Sequence, residues 1–281
     1  TYYGDKNLLS ADVFSEQQYF GTLEDRLNRH FQNYGRYNLS VADSSWDTWL
    51  DGYVPGAPYR KTNIYTEGNL IALMLDVIIM KGSENKFGLR QVCLDLYNDY
   101  GKKGIGYSYE MIIELCGKYA KSDLKDFFDN YVAGTSDFEP KLLESLKFLG
   151  LTFKKSPSLQ VYERYMRFKT MQEGEKTVVV AVAPYSPAWE SQLFDKDIII
   201  GINSRVVKNN LSALLDYEKT TENMQLTIIR NERMLTIVID KSKIPGIEDP
   251  GFYWTAVLKH LPEEDSRQKS NYSLWKSDNF R

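Results

Sequence analysis

Tyr65 and Glu67 open the most apolar run of the chain, in the stretch Asn63-Ile64-Tyr65-Thr66-Glu67-Gly68. A phenol with a pKa of about 10 stays protonated at neutral pH and can donate a hydrogen bond to a developing oxyanion. The same ring can equally be a packing residue whose hydroxyl meets a backbone carbonyl. With 20 tyrosines in the chain, residue type leaves both readings open. Other chemistry is sparse. His30 and His260 are the only histidines and lie far apart, outside any metal-ligand spacing. His30 closes a predicted helix and reads as a surface or cap residue. Cys93 and Cys116 fall in predicted helices with apolar neighbours. They read as two buried thiols, with no disulfide framework and no cysteine zinc site. Gly101 and Gly104-Ile105-Gly106 form no phosphate loop, because no strand precedes them and no Lys-Ser/Thr follows. Asp43, Asp47 and Asp51 read as solvated surface carboxylates, and Asp76 as one half of a core ion pair.

The elements that must carry Tyr65 follow from periodicity. Leu70 to Met80 is apolar almost all round a helical wheel, which predicts a helix from Tyr65 to Met80 running through a core. Asp76 interrupts the run, well short of the roughly 18 apolar residues that a membrane span needs. The phenol is thus expected at a helix N-terminus. Upstream, apolar residues at helical spacing predict a helix from Ser10 to about Asn33. Residues 36 to 64 read as a loop, with Trp46, Trp49 and the run Tyr53-Val54-Pro55-Gly56-Ala57-Pro58-Tyr59 either pinning it to the core or lining a cleft. Downstream, helices are predicted at Leu89 to Tyr100, after Ser108, at Leu124 to Val132, and from Pro140.

At about Leu149 the period changes to two. Thr177 to Ala183 and Asp197 to Asn203 read as strands, Asn209 to Thr220 as a short helix, and Asn231-Glu232 as a tight hairpin between two further strands. Residues 243 to 281 lose the pattern and read as an extended tail, docked by Trp254 and Trp275.

Totals bound the remainder. A chain of 281 residues, 42% hydrophobic and 26% charged, is long enough for two ordinary domains with real cores. A net charge of −3 and a pI of about 5.6 favour neither nucleic acid nor an anionic membrane. No membrane segment is read. Thr1-Tyr2-Tyr3-Gly4 resembles the middle of a domain, so the chain is expected to be a piece of a longer protein. Two buried thiols are compatible with any compartment, so localisation stays open.

The β-rich part resembles a PDZ domain of the bacterial protease-associated type. The residues that carry this are Val182-Ala183-Pro184-Tyr185-Ser186-Pro187-Ala188, then Leu193, then Asp197-Ile198-Ile199-Ile200-Gly201-Ile202-Asn203. Gln192, Lys196 and Ser204 stand where such domains usually have glycine. The resemblance implies that a peptide adds to a sheet edge with its terminal carboxylate on backbone N–H groups. Leu149-Gly150-Leu151 is the implied carboxylate loop, leading into a strand through Phe153.

The helical part resembles the C-terminal portion of the catalytic domain in the glycyl aminopeptidase family, zinc peptidases (gluzincins) related to aminopeptidase N. The ordered matches are Thr1-Tyr2-Tyr3-Gly4-Asp5, Ser44-Ser45-Trp46-Asp47-Thr48-Trp49, Tyr65-Thr66-Glu67-Gly68, Leu73-Met74-Leu75-Asp76, Asp123-Leu124, Phe127-Phe128 and Tyr131-Val132-Ala133-Gly134-Thr135. The resemblance implies a multidomain α plus β chain: helical peptidase part at 1–148, PDZ-like domain at 149–242, tail at 243–281. It implies that Tyr65 matches the tyrosine of a Tyr-x-Lys-Gly motif that stabilises the tetrahedral intermediate, with Glu67 in place of the lysine. The family's His-Glu-x-x-His zinc motif does not occur in the chain, and its third ligand, a glutamate, falls just before the segment matching Thr1. Zinc is therefore expected of the full-length protein and not of this chain, which should be inactive alone. The alternative implied is a non-catalytic PDZ peptide-binding module on a degenerate peptidase scaffold.

Overall fold

The computed structural model describes residues 1–51, 57–218, 223–240 and 254–280. Tyr53 to Gly56 of the aromatic stretch, the side chains of Asp51 and Trp254, and the expected boundary at 242/243 lie outside these. The chain divides into two compact units, Thr1–Lys154 with Ala256–Arg281, and Lys155–Thr255.

The first unit is helical. Its centre is α5 (Ile64–Gly82), in which Leu70, Leu73, Met74, Ile79 and Met80 are all but inaccessible to solvent. An almost all-apolar surface requires cover on every side. That cover comes from α1 (Tyr2–Ser10), α2 (Glu16–Phe31), α4 (Val41–Asp51), α6 (Leu89–Asp95), α7 (Tyr109–Ala120) and α9 (Glu139–Phe148), which all pack on α5. α3 (Gly35–Asn38) and α8 (Lys125–Tyr131) complete the α-helices described before residue 150, and α6 runs on into a π-helical turn, Leu96–Tyr100, and a 3-10 turn, Gly101–Lys103. Ser15 starts α2 through a capping box, accepting from Gln18 N while the Gln18 side chain accepts from Ser15 N.

The expected loop at 36–64 is a correction: α3 and α4 occupy much of it. Ser40 explains why. Its hydroxyl accepts from Asp43 N and donates to Asp43 Oδ2, fixing the first turn of α4 before any proline intervenes. Cys116 is buried as expected, whereas Cys93 is exposed.

The expected tail is a second correction. Residues 254–277 form a strand, β8 (Trp254–His260), and a helix, α12 (Ser266–Ser277). β8 pairs with β1 (Leu151–Pro157). Alternate residues Ala256 and Leu258 are buried, and their backbone N–H groups donate to Asn28 and Glu24 of α2. Asp265 and Gln268 form the capping box of α12. Trp275 is fully buried, with its indole N–H on the Tyr2 hydroxyl at 2.9 Å.

The second unit is a six-stranded sheet in the order β2-β3-β4-β6-β7, with β5 on β4. The strands are β2 (Phe168–Glu173), β3 (Lys176–Val182), β4 (Ile198–Ile202), β5 (Arg205–Val206), β6 (Asn223–Arg230) and β7 (Arg233–Asp240), with helices α10 (Pro187–Glu190) and α11 (Leu211–Tyr217). Each neighbouring pair of strands in this sheet is antiparallel. The hairpin at Asn231-Glu232 is present: both residues have positive φ, 49° and 64°, which suits the right-handed strand twist. One core gathers Phe168, Val179, Ile199, Ile202, Leu226, Ile228 and Ile239 under Leu211 and Leu215 of α11. A helical unit and a β-rich unit in one chain make the fold class multidomain α plus β.

Candidate active site

Tyr65 occupies the first turn of α5, as its spacing predicts. Asn63 caps that turn: its side-chain oxygen accepts from Tyr65 N at 3.1 Å and Thr66 N at 3.0 Å. The Tyr65 side chain is half exposed, at 48% of its full accessibility. Most large apolar surfaces around α5 are buried, so this ring stands out as the face of the helix start that meets solvent. Thr1 donates from its hydroxyl to the Tyr65 backbone carbonyl at 3.2 Å.

Glu67 turns the other way, into the protein. It is inaccessible to solvent and accepts from Thr62 Oγ1 at 3.1 Å, while His30 Nδ1 lies 2.7 Å from its second oxygen. Arg36 Nη1 reaches His30 Nε2 at 3.3 Å and Asp137 at 3.3 Å. The reading of His30 as a surface or cap residue is corrected here: it is fully buried, stacked on Phe138 and edge-on to Phe31. No local signal marks this pair, because its members are 37 residues apart in sequence.

Asp76, expected in a core ion pair, is in one. Lys6 Nζ lies 2.7 Å from Asp76 and 2.7 Å from Asp278, with Lys6 and Asp76 both inaccessible. Tyr2 donates to the same Asp76 oxygen at 2.5 Å, and Leu89 N donates to the other at 2.7 Å. Burial, with the Asp76 charge beside it, holds the Tyr2 phenol well above its ordinary range. This phenol therefore stays a donor at any working pH. Asp43 is spent on the α4 cap, and Asp47 pairs with Arg60. Burial pushes the Cys116 thiol up to about 12, far from a nucleophilic thiolate.

The residues of the implied carboxylate loop, Leu149 to Phe153, belong to the helical unit. Leu149, Leu151 and Phe153 are buried in the helical unit, Phe153 against Phe31. Gly150 ends α9: it has φ +71°, its N–H returns to Lys147 O, and its carbonyl accepts from Leu261 N. A Cβ there would meet the Glu264 side chain at 3.2 Å. The glycine serves a helix stop, and the period-two pattern that starts at 149 belongs to the β1–β8 pair. In the β-rich unit the turn that enters β2 is at Arg167, which has φ +66°. No glycine marks it, which is why the sequence hid it. Gln192, Lys196 and Ser204, standing in for glycine, all adopt positive φ, of 62°, 69° and 65°.

Among the described residues, no group of three or more His, Cys, Asp and Glu side chains could hold a metal ion. His30 and His260 are each engaged with glutamates. Zinc, which the resemblance implies for the full-length protein and not for this chain, has no ligand set among the described residues. No helix among them is long and apolar enough to cross a membrane.

Comparison with known proteins locates the resemblance. Residues 1–71 match the profile of the M61 glycyl aminopeptidase family. The resemblance to that family is real. A solved structure of an aminopeptidase N family protein from Idiomarina loihiensis superposes with a TM-score of 0.83 at 22% identity, over 98% of this chain and 46% of that one. The chain therefore has the fold of a part of that protein and spans about half its length. The PDZ domain of EpsC from Vibrio cholerae matches 30% of this chain and 86% of that one, with a TM-score of 0.24 at 18% identity. The HtrA3 PDZ domain, solved with a phage-derived ligand, matches 39% of this chain and 92% of that one, with a TM-score of 0.23 at 21% identity. No curated protein matches the chain.

Proposed function

We propose that this chain is the C-terminal part of a zinc-dependent aminopeptidase in which the Tyr65 phenol stabilises the oxyanion of the tetrahedral intermediate. The observation that carries the reading is the half-exposed Tyr65 ring on a capped first turn, with Thr1 in contact with its backbone. Residues joined to Thr1 in a longer chain would begin at the Tyr65 backbone. The match of residues 1–71 to the glycyl aminopeptidase family supports the same placement. Chemically, the phenol needs no charge change: it donates a hydrogen bond that strengthens as the carbonyl oxygen gains charge. Its backbone N–H is tied to Asn63 and its carbonyl to Thr1, so the turn that carries the donor is fixed before substrate arrives.

The test is Tyr65→Phe in the protein that includes the upstream segment. Loss of one such donor is expected to lower kcat by about 10²–10³ with little change in KM. An unchanged kcat removes Tyr65 from the mechanism. The 281-residue chain alone is expected to hydrolyse no aminoacyl substrate and to take up no stoichiometric zinc; one-to-one zinc by elemental analysis contradicts this.

A second reading concerns the β-rich unit, proposed as a binder of peptide C-termini. It is favoured by β2, which ends the strand order and is entered through the left-handed turn at Arg167. A peptide would add as a strand to β2. Peptides ending in a free carboxylate are expected to bind the whole chain at least tenfold more tightly than their amides in calorimetric titration; equal affinities exclude a carboxylate loop.

A further inference from the structure

Glu67 takes the place of the lysine in the family's Tyr-x-Lys-Gly motif, and the structure gives it partners that a lysine could not have. Its carboxylate is inaccessible to solvent and bonded on both oxygens, to His30 and to Thr62. The direction of each bond follows from the donors. Arg36 can only donate, so His30 Nε2 accepts and the ring proton sits on Nδ1, from which it is donated to Glu67. A chain of bonds thus runs from Asp137 through Arg36 and His30 to Glu67 and Thr62. Its members come from α2, α3, α5 and the segments before α5 and α9. The His30 ring cannot swing, because Phe138 stacks on it at 4.8 Å and Phe31 meets it edge-on at 4.9 Å. Thr62 is itself held, its N–H donating to the buried Ser44 hydroxyl at 3.1 Å.

We infer that the buried His30–Glu67–Thr62 array is the positioning device for Tyr65, fixing the first turn of α5 and so the direction of the phenol. Glu67 follows Tyr65 by two residues on one turn, so the two side chains leave the helix on different faces. One faces solvent and the other is clamped. A helix N-terminus frays unless its first turn is tied down. Asn63 ties the backbone N–H groups of Tyr65 and Thr66, and Glu67 ties the turn to α2 by a charge-assisted bond. The catalytic weight of this device rests on the oxyanion reading of Tyr65, whereas its mechanical part does not.

Two measurements separate these. In the 281-residue chain labelled with 3-fluorotyrosine, the Tyr65 fluorine signal is assigned by its loss in Tyr65→Phe. Glu67→Gln is expected to broaden or shift that signal, with Thr62→Val, which removes only the hydroxyl donor, doing the same to a smaller degree. A Tyr65 signal unmoved in both variants overturns the inference. In the protein with its upstream segment, Glu67→Gln is expected to lower kcat about tenfold at unchanged KM, since small misplacements of an oriented group are costly. In a Tyr65→Phe background the same substitution is expected to cost nothing further. An equal cost in both backgrounds overturns the inference, because Glu67 would then act on something other than the phenol. A moved fluorine signal together with a Tyr65→Phe enzyme of full activity supports the positioning device and refutes the catalytic reading alone.

Discussion

Lys6 shows how far a single residue can depart from its type. Lysine is almost never fully buried unless paired; here it sits inaccessible between Asp76 and Asp278, with its ammonium 5.6 Å from the ring centres of Tyr2, Tyr3 and Trp275. Removing one partner of a buried pair strands the other charge, and that is the larger cost. Lys6→Met is expected to destabilise the helical unit by about 3–5 kcal/mol. Lys6→Met with Asp76→Asn should recover much of that loss, since no charge is then stranded at residue 76 and a polar group still faces Tyr2 and Leu89 N. Urea denaturation of both variants checks this, and a double variant less stable than the single one contradicts it. Asp76 was legible as half of an ion pair because it interrupts an apolar helix. Its partner was not, because Lys6 lies 70 residues away in sequence with nothing local to mark it. The same holds for Glu67 and His30: long-range polar pairs leave no periodic trace.

At the scale of elements, legibility followed the strength of local pattern. α5 and the Asn231-Glu232 hairpin were readable because apolar period and turn chemistry agree there. α4 was hidden by prolines and glycine that in fact come after it, although its Ser40-x-x-Asp43 start is a cap signal. α12 was hidden by the charges of its first turns, although Asp265 and Gln268 make a capping box and Trp275 supplies the buried anchor. The turns at Gln192, Lys196 and Ser204 were legible by position and not by residue type. Lys196 is exposed, has φ +69°, and contributes its backbone N–H to Val179 O. A non-glycine residue in the left-handed region costs about 1–2 kcal/mol, partly offset by the greater freedom that glycine has when unfolded. Lys196→Gly is therefore expected to stabilise the β-rich unit by about 0.5–1 kcal/mol, read as a higher denaturation midpoint at unchanged slope. A lower midpoint would mean that the lysine side chain supports the turn in a way the backbone does not explain.

At the scale of the whole chain, residues 256–280 of the closing strand and helix belong to the helical unit, so that unit is built from two separated stretches of the sequence. His260 is the seam. Its Nε2 lies 3.0 Å from Glu16 Oε1, its Nδ1 bonds Glu264, and Tyr272 donates to Glu16 at 2.6 Å. Burial alone would lower the His260 pKa, but the bonds to Glu16 and Glu264 outweigh it and raise it. For Glu16, burial acts to raise the carboxyl, and the bonds from Tyr272 and His260 outweigh that and lower it. The two shifts set a window. A raised histidine contributes stability that is fully present below its unfolded pKa of about 6.5 and is lost as pH rises through the folded value. A lowered glutamate contributes stability that is present above its unfolded pKa of about 4.3 and is lost as pH falls through the folded value. The seam is thus strongest between those unfolded values, around pH 5 to 6. Side chains exposed by 37% and 40% are screened by solvent, so the effect is modest. Hydrogen exchange resolves it by unit: between about pH 5.5 and 8.5, the helical unit should lose protection in the native chain and lose less in His260→Gln. Exchange in the six-stranded sheet should not respond to that substitution, because Glu16, Glu264 and Tyr272, the partners of His260, all belong to the helical unit. Equal pH dependence of the helical unit in the native chain and in His260→Gln would show that the histidine carries no part of the seam.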